Sequence, residues 1–359
     1  MSACRRLISL RNLNGIHSCN STYITSCRLN STDQHERHHA GVTPPGKLKR
    51  YMVNKLMNFY EKSENHVVLR YPKVYKIYRT FKTGMMGFFH DFKIYYRVTT
   101  ELWSGKDLSD LSRVELEVYT HLPKAFWRLT PLLVVSGIPF GSSVFPLAYM
   151  FPRLLLSHHF WTPEQRIQFY TQDLKKQIEH YSPIIQSLKF HSRHITDENL
   201  QKKIRKIVGK LEHHVLPTTD EILQVKSLFH GSPYHMDRIS ITYLRHLAKS
   251  YGMSLRRKKL KQSILLLLYT DKAMVKEGIP TLLNDELERA CFVRGLNPIG
   301  LRREERITFL IRWTQISENI DESSISLLLH SPVLLTSAQP TNRSLKTKKS
   351  RWQKGSEDT

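Results

Sequence analysis

The chain has 359 residues and a formal net charge of +24, with 55 Lys and Arg against 31 Asp and Glu. Its hydrophobic fraction of 40% and charged fraction of 24% exclude a chain that is disordered throughout and one made mostly of membrane spans. The positive charge predicts an anionic partner: nucleic acid, a ribosome or an acidic membrane surface.

The first segment, residues 1–32, contains no Asp or Glu. Apolar residues recur there every three positions at Leu7, Leu10, Leu13 and Ile16, and arginines lie off that stripe. An amphipathic, arginine-rich and acid-free start is typical of a mitochondrial transit peptide, and a disordered basic tail is the alternative. A polar segment, 33–46, follows and is predicted to be a solvated linker.

Residues 47–128 are predicted to form a basic amphipathic helical region. Its apolar stripe recurs at spacings of three and four residues and consists of Tyr71, Val74, Tyr75, Tyr78 and Phe81. Lysine and arginine residues lie between these positions. Such a helix lies either on an acidic membrane surface or against its own domain with a solvated basic face.

Residues 129–151, from Leu129 to Phe151, contain no Asp, Glu, Lys, Arg or His. About twenty apolar residues suffice to cross a bilayer, so we predict a single transmembrane span. Three prolines interrupt it, Pro131, Pro139 and Pro146, and they leave two alternatives open. These are a buried hairpin in a soluble core and a re-entrant hairpin in one leaflet. The flanking charges do not decide its orientation.

Helical patterns continue after the span, and no strand alternation is visible, so the predicted fold class is all-α. Thr162, Pro163 and Gln165 form a helix start, with a capping residue, a proline in the first turn and a reciprocal cap. Further helices are predicted at 164–181, 196–214 and 218–229. His158 and His159 are adjacent and would point apart on a helix, so we predict no metal site there.

Two helix–glycine–helix units repeat in the second half, centred on Gly252 and Gly295. Each glycine is predicted to end its first helix in a left-handed conformation. The turn of the first unit carries five cations, which we predict to contact an anionic partner: Arg256, Arg257, Lys258, Lys259 and Lys261. The alternative is a solvated helix start. The last residues, 336–359, are predicted to be a basic disordered tail.

Three segments resemble the LETM family, named for leucine zipper–EF-hand-containing transmembrane proteins. They read LTPLLVVSGIPF with the following FPRLL, then RACFVRGL, then SSISLLLHSPVLL. The chain has no EF-hand loop and no sustained heptads, as in the short members of that family. The resemblance implies a single-pass protein of the mitochondrial inner membrane, with a 14-3-3-like, ribosome-binding domain at 152–335 that faces the matrix.

Three functions remain open. The first is a membrane-anchored adaptor for the mitochondrial ribosome or another anionic assembly. The second is a component of a cation/proton exchanger, which the family resemblance suggests; a span without charged side chains would then require a homo-oligomer. The third is a nucleic-acid binder, because the second repeat unit resembles a SAP-like helical hairpin in its sequence pattern. No nucleotide-binding or catalytic motif is present, so we predict no enzyme activity, cofactor, metal or small-molecule substrate.

Overall fold

The computed structural model describes residues 72–136 and 150–353, which all belong to the compact unit His66–Thr359. The predicted transit peptide and linker lie outside the described residues. Within those residues the chain forms α-helices and short 3-10 turns and no strand, which confirms the all-α prediction. The helices are α1 (Pro72–Trp103), α2 (Arg113–Ser136), α3 (Pro152–Leu155), α4 (Pro163–Ile178), α5 (Tyr181–Ser192), α6 (Glu198–Glu212), α7 (Thr219–Leu223), α8 (Ile241–Ser250), α9 (Arg257–Glu277), α10 (Asn284–Val293), α11 (Arg303–Glu318), α12 (Ile325–Thr336) and α13 (Pro340–Gln353).

Helix α4 begins as its sequence predicts. The Thr162 hydroxyl accepts a hydrogen bond from the Gln165 amide at 3.3 Å, and the Gln165 side-chain oxygen accepts one from the Thr162 amide at 3.1 Å. Pro163 occupies the first helical position, where a missing N–H costs nothing. This reciprocal cap satisfies two amides that the helix itself cannot.

The largest core surrounds α12, in which every residue is buried. A helix that is apolar on all sides is stable only when other helices enclose it. Helices α5, α8, α9 and α11 pack around it. Large side chains that are completely or almost completely buried fill the space between them, including Tyr181, Tyr243 and Trp313.

Helices α1 and α2 form a hairpin with a smaller core of its own. Phe88 of α1 packs with Leu122 and Leu129 of α2 and with Phe160 and Trp161, which precede α4. A third cluster, built on Val98, Leu116 and Ala273, joins this hairpin to α9.

Arg113, at the start of α2, reinforces that junction. It is only 5% exposed and bonds three carboxylates, those of Glu117, Glu277 and Glu286. A buried guanidinium requires such partners, because an unpaired buried charge strongly destabilises a fold. The hairpin is therefore fixed to α9 and α10 by both apolar contacts and ion pairs.

Both repeat glycines have the predicted left-handed backbone, with φ of +64° at Gly252 and +84° at Gly295. In each unit the amide after the glycine bonds back into the helix. The Met253 amide donates to the Ala248 carbonyl at 2.9 Å, and the Leu296 amide donates to that of Cys291 at 3.0 Å. The units are therefore α8–α9 and α10–α11, two hairpins of the same plan.

The predicted span at 129–151 is only partly described, and its central residues 137–149, with Pro139 and Pro146, lie outside the described residues. Leu129 and Pro131 belong to α2, where Leu129 is buried in the hairpin core. Phe151 directly precedes α3 and is exposed. No helix within 72–136 or 150–353 is both long and apolar enough to cross a bilayer. The span stays a prediction.

The basic tail differs from its prediction of disorder, because α13 occupies Pro340–Gln353. Asn342 explains its start. This side chain is 1% exposed, donates to the Gly295 carbonyl at 2.8 Å and accepts from the Asn297 amide at 2.8 Å. The composition of the tail conceals this anchor, because its basic residues outnumber the polar side chain that enters the core.

Candidate functional site

The basic run lies at the N-terminus of α9, the second helix of the first hairpin. The structure exposes four of its five cations to solvent, namely Arg256, Lys258, Lys259 and Lys261. A helix N-terminus carries a partial positive charge and normally attracts acidic residues, yet the first turn of α9 contains none. The local electrostatics therefore oppose this placement, and an external anion would relieve the repulsion.

Arg257 has a different position from the other four. Its side chain is partly buried and donates to the carbonyl of Ile239 at 2.6 Å and to that of Met236. These bonds hold the segment that leads into α8. We therefore assign Arg257 a structural role and define the basic run of the interface by the remaining four.

Two further cations adjoin this run from a distant part of the sequence. Lys124 and Arg128 are four residues apart on α2, so they share one helix face. Helix α2 packs along α9. Desolvation lowers the pKa of the Lys124 ammonium, and the nearby charges of Lys259 and Arg128 lower it further. The sequence alone does not reveal this convergence, because only the α2–α9 packing creates it.

Six cations make up a surface that we call the basic face: Lys124, Arg128, Arg256, Lys258, Lys259 and Lys261. None of them forms an ion pair with any residue that the structure describes. By contrast, Arg113 and the buried Arg294 are fully paired. The basic face is thus a concentration of uncompensated charge on rigid helices, as expected of a surface that binds phosphates.

Exposed apolar side chains lie on either side of the segment 137–149. Trp127 and Val134, on α2, are 75% and 62% exposed, and Leu154, on α3, is 71% exposed. Phe126, Met150 and Phe151 are exposed as well. Large apolar groups in water indicate a contact surface, and on α2 Phe126, Trp127 and Val134 share the helix with Lys124 and Arg128.

Comparison with known proteins assigns the family. The family model described as "LETM1-like, RBD" matches residues 111–334. LETM1 domain-containing protein 1 of Xenopus tropicalis is 29% identical over 307 residues, which cover 83% of this chain and 88% of that protein. Its Bos taurus counterpart is 30% identical over 299 residues, which cover 80% and 82%.

A longer protein is also similar. The mitochondrial proton/calcium exchanger protein of Drosophila melanogaster is 25% identical over 278 residues, which cover 73% of this chain and 27% of that protein. No solved structure matches. The family model covers more than half of the chain, and relatives of similar length align along most of it; the chain belongs to the LETM1-like family.

Proposed function

We propose that this protein is an adaptor anchored in the mitochondrial inner membrane, whose helical domain binds the mitochondrial ribosome in the matrix through the basic face. One observation carries the proposal: Lys124 of α2 and Lys259 of α9 lie close together, and no cation of the basic face forms an ion pair with a residue that the structure describes. The "RBD" of the family description is consistent with it, and the names of the relatives support a mitochondrial location.

The position of the basic face relative to the predicted span is consistent with an adaptor. Lys124 and Arg128 lie on the same helix as the first residues of the predicted span, 129–136. A partner that binds the basic face would then sit close to the bilayer surface. The exposed apolar residues at 126–134 and 150–154 suit the boundary between the anchor and the domain.

The decisive experiment compares two full-length variants of equal charge. One replaces Arg256, Lys258, Lys259 and Lys261 with glutamine. The control replaces four cations of α6 with glutamine, namely Lys202, Lys203, Arg205 and Lys206. Detergent lysates of mitochondria that carry each variant are sedimented at rising salt concentrations.

We expect the native chain and the α6 control to sediment with ribosomal particles at low salt and to detach as salt rises, because phosphate contacts release bound counterions. The interface variant should migrate freely at every salt concentration. Equal behaviour of the two variants would refute the basic face as the contact. Extraction of the native chain by carbonate would refute the membrane anchor separately.

The exchanger relative motivates a second candidate, a component of a cation/proton exchanger. Purified protein in sealed vesicles would then dissipate an imposed cation gradient. The basic-face variant separates the two functions, since an adaptor loses ribosome binding with this variant while transport through the membrane persists. Absence of flux from the native chain would count against this candidate.

A further inference from the structure

Helix α1 closely approaches the 3-10 turn His158–Phe160, which precedes α4. Gly84 makes this approach possible: a Cβ at this position would lie 2.7 Å from Cδ1 of Phe160 and 2.8 Å from the carbonyl oxygen of His159. One turn further, a Cβ on Gly87 would meet the His159 ring at 3.5 Å. The side chains of the turn are consequently pressed against α1.

This contact brings three potential metal ligands together. His159 Nε2 lies 2.9 Å from Oδ2 of Asp91 on α1, and the centroids of the His158 and His159 rings are 4.0 Å apart. One ligand atom from each of the three residues lies within 4.8 Å of the others. Adjacent side chains normally point apart on a helix, so the close approach of these two rings is a particular feature of this short turn.

The His158 ring packs edge-on against the His121 ring, with 6.5 Å between the two centroids. Neither of its ring nitrogens hydrogen-bonds to a residue within the described ranges. Its carbonyl, in contrast, accepts a hydrogen bond from Arg166 at 3.1 Å. No residue that the structure describes therefore competes with an ion for the two ring nitrogens of His158.

A purely structural contact would explain only part of this arrangement. His159 hydrogen-bonds through Nε2 to Asp91 and through Nδ1 to the Ser157 hydroxyl at 3.0 Å. This pair is therefore satisfied without any ion. Such a contact leaves the tilted His158 ring beside the pair, with nitrogens that bond to none of the described residues. The nearby positive charge of Arg289 is partly neutralised by Glu117 at 3.0 Å, so it opposes a cation less than its proximity suggests.

We propose that Asp91, His158 and His159 bind one divalent transition-metal ion, which clasps α1 to the turn before α4. Two imidazoles and one carboxylate suit Zn²⁺ and its neighbours in the first transition row. Water completes the coordination. Ca²⁺ is a poor fit, since it takes six to eight oxygen ligands. The site is independent of the basic face and of the adaptor function.

The test uses the full-length chain in detergent micelles, freed of metal by a chelator that is then removed. Zn²⁺ binding is measured by calorimetry, and Co²⁺ binding by its visible absorption. The informative variant is His158→Gln, since it removes a ring that makes no hydrogen bond to any described residue. The matched control is His246→Gln, because His246 belongs to another close histidine pair, with its Nδ1 3.2 Å from that of His180.

We expect the native chain and His246→Gln to share one site that His158→Gln weakens about 100-fold or more, because loss of even an outer-shell partner typically costs about 10–100-fold. Zn²⁺ should raise the melting temperature of the first two proteins and not that of His158→Gln. Without metal, all three should melt alike. Equal affinity and stoichiometry in all three proteins would overturn the proposal, as would a native chain without a Co²⁺ absorption band. Asp91→Asn provides a second test, with the same expected loss of affinity.

Discussion

The two helix–glycine–helix hairpins share one plan but differ in what surrounds their turns. The turn of α8–α9 leads into four exposed cations. The turn of α10–α11 is enclosed: Gly295 contacts Tyr181 and Asn342, and Arg294, beside it, is 2% exposed. A local sequence pattern thus specifies the hairpin, while the surrounding helices decide whether its turn becomes surface or core.

The enclosed turn depends on the other hairpin. Asp271 of α9 is completely buried and accepts hydrogen bonds from Arg294 Nε at 3.0 Å and from Trp313 Nε1 at 2.8 Å. Helix α9 therefore presents cations to solvent at its N-terminus and a buried carboxylate to the second hairpin near its C-terminus. This division allows the exposed end to vary in charge without disturbing the core.

The largest expected effect is that of Asp271→Ala, which leaves the buried Arg294 charge unpaired. We expect the free energy of unfolding to fall by about 3–5 kcal/mol, measured by chemical denaturation. The matched control is Glu212→Ala, which breaks the exposed ion pair with Lys189 and should cost less than about 1 kcal/mol. Similar losses in the two variants would contradict the importance of the enclosed turn.

The next effect concerns pH and the contact of the first hairpin with α12. The neutral His330 imidazole donates from Nδ1 to the Ser326 carbonyl at 2.6 Å and accepts from the Tyr243 hydroxyl at 2.8 Å. Burial lowers the pKa of His330 to about 4, although the bond to Ser326 raises it in part. As pH falls, His330 of the unfolded chain is therefore protonated near pH 6.5, whereas His330 of the folded chain is protonated only near pH 4.

Stability from His330 is consequently complete above pH 6.5 and declines as pH falls toward 4, by at most about 3 kcal/mol. Unfolding of the native chain and of His330→Gln, compared across this range, isolates the contribution from those of other histidines. The variant should be less stable at pH 7 and should show a shallower decline. Parallel pH profiles would contradict this assignment.

The two glycines provide a direct comparison of the turns. Alanine at either site must adopt a left-handed backbone, at a cost of about 1–2 kcal/mol. At Gly295 its Cβ would also lie 2.5 Å from Oη of Tyr181 and 3.0 Å from Cβ of Pro332, whereas at Gly252 the nearest atom is the flexible end of Gln177 at 3.0 Å. We expect Gly295→Ala to lower the free energy of unfolding by about 2 kcal/mol more than Gly252→Ala does, measured by chemical denaturation. Equal losses would show that the turns are packed alike.

The sequence was most informative where the controlling interaction is local. The cap at Thr162 and the left-handed glycines need only neighbouring residues, so their patterns predicted them correctly. Three features depend on packing between distant segments and could not be predicted this way: the approach of Lys124 to Lys259, the anchor of α13 at Asn342, and the adjoining rings of His158 and His159.

The smallest expected effect separates structural from functional cations within the basic run. Arg257→Gln removes the guanidinium that bonds the carbonyls of Met236 and Ile239, so the free energy of unfolding should fall by about 1–2 kcal/mol. Lys258→Gln removes the same charge from an exposed position and should change it by less than about 0.5 kcal/mol. Ribosome sedimentation should show the reverse order, because only Lys258 belongs to the basic face. Greater loss of binding in Arg257→Gln, at a temperature where both variants are folded, would move the interface toward the Met236–Ile239 loop and away from the exposed turn.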